Sequence, residues 1–187
     1  FSMNEYAQAL NKGSLLDSTA YNNIAEKLHN YTGLPVAYIK KANLRINGPQ
    51  FEQTLLGDEN KITGRLDARF SGAAMDPLSE YADYDPMDSY IDAAFTATFN
   101  NYVRADLGFG KGMKYKVHGD IHSWDFKRQQ GFGIFPNVMN DLAQAMIYNP
   151  DLKVMLNMGY FDLGTPYFES EYEMHHLPIP DALQKNI

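Results

Sequence analysis

The sequence predicts an α/β fold, with a mainly helical region over residues 1–136 followed by a partial α/β core over residues 137–187. Three neighbouring patterns carry that expectation. Leu152, Val154, Leu156 and Met158 alternate with Lys153, Met155 and Asn157 over a strand-length run, and Met155 makes the second face partly apolar, as in a sheet covered on both sides. Just before it, Val138, Leu142 and Met146 recur at helical spacing until Asn149-Pro150, so a helix feeds a strand, which is one half of a βαβ crossover. Just after it, Asp162 occupies a turn, and Thr165-Pro166 opens another helix with Thr165 as cap and Pro166 at the first helical position.

The elements before residue 137 read mostly as helix. Tyr6, Ala9 and Leu10 form a first pattern closing on Gly13. Tyr21, Ile24, Ala25, Leu28 and Tyr31 lie on one face of an amphipathic helix that starts at Asp17-Ser18 and stops at Gly33. Short helices are expected near Val36 to Ile39 and Phe51 to Leu56, separated by the Asn47-Gly48-Pro49 turn. Ile62, Leu66, Ala68 and Phe70 alternate with Thr63, Arg65, Asp67 and Arg69, which predicts a strand with one wet face. Asp85-Pro86 then opens a helix whose face is Tyr90, Ile91, Ala94, Phe95, Thr98 and Tyr102, and which is expected to end at Gly108.

Composition narrows the function classes. At 187 residues, 44% hydrophobic and 21% charged, the chain has enough apolar material for a substantial core. A net charge of -7 argues against nucleic acid, which demands a basic surface to replace condensed counterions. No apolar run is long enough to span a bilayer, and the absence of cysteine excludes disulfides, zinc-thiolate sites and a cysteine nucleophile together. The acids Asp76, Glu80, Asp83, Asp85, Asp88 and Asp92 lack the ligand spacing of a calcium loop and are expected in a solvated loop leading into a helix. Gly108-Phe109-Gly110-Lys111-Gly112 follows a helix, not a strand, so it reads as a flexible loop without a phosphate cradle. His118, Asp120 and His122 would share a face if extended, a pattern open to metal binding or to an ordinary polar strand edge; no metal and no cofactor is assigned.

GYFDLGTP, followed by YFESEYEMHHL, resembles the segment around the catalytic aspartate of the serine carboxypeptidases, particularly their bacterial branch. FSMNEYAQALNKG, NYTGLP, GRLDARF with its acidic sequel to Asp85-Pro86, SWDF, NVMNDLAQAM and NPDLKV resemble successive landmarks of that family in the same order. The cysteines that eukaryotic members carry near this aspartate are missing. The resemblance implies an α/β-hydrolase core interrupted by a helical cap, an exopeptidase that takes a peptide C-terminus, and a periplasmic or secreted setting. It also implies that Asp162 is the triad acid. An α/β hydrolase orders its triad Ser, Asp, His, with the serine on a Gly-x-Ser-x-Gly elbow. No serine here, from Ser14, Ser18, Ser71, Ser79, Ser89 and Ser123 to Ser170, has that glycine pair, and the family's Gly-His-Met histidine is not found. His175 and His176 follow Asp162 in the right order but fall at the end of a helix, where the dipole favours histidine for structural reasons. The chain is therefore expected to be a fragment, inactive alone, holding the cap and the acid. Trp124 and Phe135 are either core anchors or walls of the substrate pocket. A non-catalytic relative that binds peptide or glycan, and another cap-bearing esterase, remain alternatives, and an incomplete sheet edge would favour self-association.

Overall fold

A computed structural model describes residues 1–120, 123 and 137–187, and its architecture overturns the α/β expectation. The described residues form eight α-helices and one hairpin of two three-residue strands, with short 3₁₀ and π turns between them. They contain no α/β core, neither a partial α/β-hydrolase sheet nor a βαβ crossover. The chain divides into two compact units, Phe1–Asp88 and Ser89–Ile187.

In the first unit, α1 (Ala7–Lys12) follows a π-helical turn and ends at Gly13, whose φ of 52° explains the glycine stop. The 15-residue α2 (Ser18–Thr32) is bounded as the sequence predicts. Asp17 accepts a hydrogen bond from the Ala20 N–H at 2.8 Å, and Gly33 takes the left-handed conformation while its N–H donates to the His29 carbonyl. Helix α3 (Val36–Lys41) comes next. Asn47 then caps α4 (Gly48–Thr54) in a reciprocal capping box with Gln50, so the turn residues expected to break a helix in fact begin one. These helices bury Ala9, Ile24, Ala25, Leu34, Ile39 and Leu44 in one cluster, ringed by Tyr6, Leu28, Phe51 and Leu55. Burial of that apolar surface is the main stabilising contribution in this unit.

The strand expected over residues 62–70 is cut to β1 (Lys61–Thr63), which pairs antiparallel with β2 (Ser71–Ala73) in the register Ile62 to Gly72. Asp67 explains the truncation. Its carbonyl accepts from the Phe70 N–H, its carboxylate holds Arg69, and the Leu66 N–H donates to Asp85, so residues 64–70 turn instead of continuing. A Cβ on Gly64 would lie 2.4 Å from the Asp67 carbonyl oxygen, so the turn closes only over glycine.

Helix α5 (Pro86–Asn101) opens at Asp85, whose Oδ1 accepts from the Met87 N–H, and passes through a π-helical turn (Tyr102–Asp106) to Gly108. On its expected apolar face Ile91 is half-buried, while Tyr90 and Phe95 are 67% and 68% exposed. In the second unit, α6 (Met139–Tyr148) buries Ala143 and Met146 against Leu177, with Leu152, Val154, Met174, Ile179 and Leu183 around them. Helices α7 (Tyr167–His175) and α8 (Asp181–Gln184) complete it.

Residues 152–158 have no regular secondary structure and do not form the predicted strand. Leu152, Val154 and Leu156 are half-buried while Lys153, Met155 and Asn157 are exposed, so the alternation is present. The Val154 N–H donates to the Asn186 carbonyl, but from Met155 to Met158 no backbone hydrogen bond is made to any described residue. A strand exists only as a member of a ladder, and none is formed with this segment among the described residues.

Glu52 is a buried carboxyl on α4, and burial raises its pKa above the ordinary 4.5, Asp85 adding to the effect and Arg65 opposing it. The folded state then binds more protons than the unfolded state above pH 4.5, so this group's contribution weakens as pH rises toward its raised value. Glu52→Gln should therefore raise the thermal midpoint more at pH 7 than at pH 4, by about 2–4 °C for each kcal/mol of relieved burial cost. Melting curves at the two pH values check this, and an equal shift at both would contradict it.

Candidate functional site

The candidate site is the turn that follows this segment. Asp162 organises it. Its Oδ1 accepts hydrogen bonds from the Gly164 N–H at 2.8 Å and the Thr165 N–H at 3.0 Å, and its Oδ2 accepts from the Thr165 hydroxyl at 2.6 Å. The backbone bends back as well, with the Asp162 N–H donating to the Gly159 carbonyl. Such an Asx turn follows from the sequence, because an aspartate two and three residues before small backbone donors can satisfy them locally. Thr165, expected as the cap of α7, spends its hydroxyl on Asp162, and the residue preceding the helix is Pro166, with no side-chain cap. The partners Gly164 and Thr165 are the part of the site that the motif reading passed over, and the Asp-x-Gly-Thr spacing is the signal for them.

Aromatic rings flank this turn. Tyr160 and Tyr167 meet edge to face with centroids 4.9 Å apart, and Tyr160 is 78% exposed. His175 and His176 are engaged within α7. The His176 ring stacks on Tyr172 at 3.9 Å and its Nδ1 lies 2.6 Å from the Tyr172 carbonyl, while His175 Nε2 is 4.0 Å from the Glu171 carboxylate. These are helix-end contacts of the kind the dipole favours.

Of the other sequence-stated candidates, Trp124, Phe135 and His122 lie outside the described residues. His118 faces Asp92, one turn into α5, with Nε2 3.2 Å from Oδ2. The backbone carbonyl of Asp120 accepts from the Ser123 hydroxyl at 3.3 Å. No sequence signal pairs residues 92 and 118. The Gly108–Gly112 loop has φ values of 65°, 66° and 84° at its three glycines, which other residues rarely adopt, so glycine is required there by the turn itself.

A separate apolar cavity of about 320 Å³ lies between α5, the π turn and this loop; Asp162 is not among its lining residues. No protein-family model, curated protein or solved structure matches the chain.

Asp162→Ala removes the acceptor of three turn hydrogen bonds and should destabilise the second unit by about 1–2 kcal/mol. Asp162→Asn keeps one carbonyl oxygen for the Gly164 and Thr165 N–H groups and should cost less than half as much. Chemical denaturation of the three proteins checks this order; equal losses would mean that the turn does not depend on this acceptor.

Proposed function

We propose that the chain supplies the acid of a Ser-Asp-His triad in a serine carboxypeptidase, with Asp162 as that acid and the serine and histidine carried on polypeptide other than these 187 residues. The observation that carries the proposal is the ordered set of family-like landmarks ending at Asp162, joined to a carboxylate held in place by its own turn. The proposal rests on the landmarks and on this turn, not on an α/β sheet.

The chemistry follows from elementary requirements. A serine hydroxyl becomes a nucleophile when an imidazole removes its proton, and the imidazole must present the correct nitrogen. A carboxylate fixed beside the ring selects that tautomer and stabilises the imidazolium formed as the acyl-enzyme is made. Two backbone N–H groups and a hydroxyl on Asp162 restrain its rotation, so little reorganisation is left for the reaction step. The substrate is a peptide with a free C-terminus, from which the residue after the scissile bond leaves.

The exposed rings of Tyr160 and Tyr167 favour a second reading, in which this surface binds peptide or glycan without catalysis. The two readings separate on one residue. In the protein that carries the complete triad, Asp162→Asn should lower kcat on N-blocked dipeptides by a factor on the order of 10⁴ while the fold is kept. The 187-residue chain alone should release no amino acid from those substrates. Unchanged turnover in the variant, or hydrolysis by the chain alone, would sink the triad reading.

The backbone of residues 155–158, unpaired among the described residues, also supports self-association by strand addition. Sedimentation of the isolated chain should then depend on concentration, and Met155→Pro, which removes one N–H donor, should shift it toward the monomer. A dilution-independent monomer contradicts this.

A further inference from the structure

The cavity between α5 and the glycine loop combines two properties that seldom occur together on an exposed surface of an acidic chain. Its walls are hydrocarbon: Phe99, Val103, Leu107, Phe109, Met113 and Tyr115 line it. Leu107, Phe109 and Met113 are 59%, 67% and 64% exposed, so this apolar lining faces solvent. Two cationic side chains join them. Arg104 and Lys114 belong to the lining, and the segment from Arg104 to Lys116 carries four cationic side chains against the single carboxylate of Asp106, within a chain of net charge -7.

The shape of the loop is fixed by its backbone. Gly108, Gly110 and Gly112 hold positive φ, the Phe109 N–H donates to the Val103 carbonyl, and the Met113 N–H donates to the Gly110 carbonyl. Arg104 ties the far side of the loop to the π turn by donating from Nη2 to the Met113 carbonyl at 2.6 Å. One guanidinium N–H is used in that bond. The other donors, and the Lys114 ammonium, have no carboxylate partner among the described residues.

We propose that this cavity binds a long-chain carboxylate, with the acyl chain against Phe99, Val103, Leu107 and Met113 and the carboxylate at Arg104 and Lys114. A volume of about 320 Å³ is at the small end of ligand pockets, which run from about 300 to 1,000 Å³, and suits one acyl chain. The walls favour an acyl chain over a peptide, because each peptide unit brings an N–H and a C=O that would need partners, and six of the ten lining residues offer hydrocarbon or aromatic surface. The two cationic side chains select an anion over an alcohol or an ammonium head group. This site is independent of Asp162.

The test is calorimetric titration of the full chain with hexanoate, octanoate and decanoate below their micelle concentrations, with methyl-labelled methionine NMR to locate the site. Decanoate should bind saturably and move the Met113 methyl resonance, and each added methylene should tighten binding by up to about fourfold. Decanol should bind at least tenfold more weakly than decanoate. Arg104→Glu and Lys114→Glu should each weaken decanoate at least tenfold, and Leu107→Asp, an exposed position, should abolish it. No saturable binding, a flat chain-length series, or affinity unaffected by the charge reversals overturns the proposal. So does preference for an N-blocked peptide with a free C-terminus, or binding to anionic phospholipid vesicles without binding of decanoate.

Discussion

A backbone N–H or C=O removed from water has to be hydrogen-bonded, and that constraint sorts this chain more firmly than hydropathy does. Helices meet it largely within themselves, which is why segments as short as α3 and α8 persist without a side-chain cap once Ile39 and Leu183 pack into their clusters. Strands cannot meet it alone. The three-residue hairpin survives because Lys61–Thr63 and Ser71–Ala73 exchange their bonds and Tyr84 closes over them, its hydroxyl donating to the Ala73 carbonyl at 3.0 Å. Residues 155–158 make no backbone hydrogen bond to any described residue, so they join no ladder there.

The helical parts were legible because their signals are local. Asp17 and Gly33 bracket α2 through contacts within three or four residues, and Asp85 with Pro86 opens α5 in the same way. Asn47 shows how the same chemistry can be misread: an Asn-Gly-Pro triplet marks a turn, but with Gln50 three residues on it also forms a capping box, and the second meaning wins here. The strand expected over 62–70 failed for a related reason. Alternation counted Gly64 and Asp67 as places in a pattern, whereas the turn made by Asp67 and the close approach over Gly64 decide the path.

The expectation of an α/β core was wrong, because a sheet is a set of long-range pairings and one alternating run carries no information about its neighbours. Part of the candidate site was legible and part was not. Asp162 stood out as an acid after an alternating run, and its turn partners follow from the spacing of Gly164 and Thr165. The approach of His118 to Asp92, 26 positions apart in sequence, had no such signal. Nor did the joining of Arg104 and Lys114 to one apolar cavity across the glycine loop.

The turn at Asp162 bears on both readings of function. An Asx turn and a triad acid both require an acceptor oxygen fixed in direction, but only the triad requires that it be charged. The hydrogen bonds that serve the first also prepare the second, because they hold both carboxylate oxygens in one orientation. Geometry at this residue therefore cannot separate a structural role from a chemical one, whereas a change that retains an acceptor oxygen and removes the charge can. The turn tolerates a neutral amide, since a carbonyl oxygen still receives two N–H groups. A triad does not, since the imidazolium formed during acylation needs a negative partner.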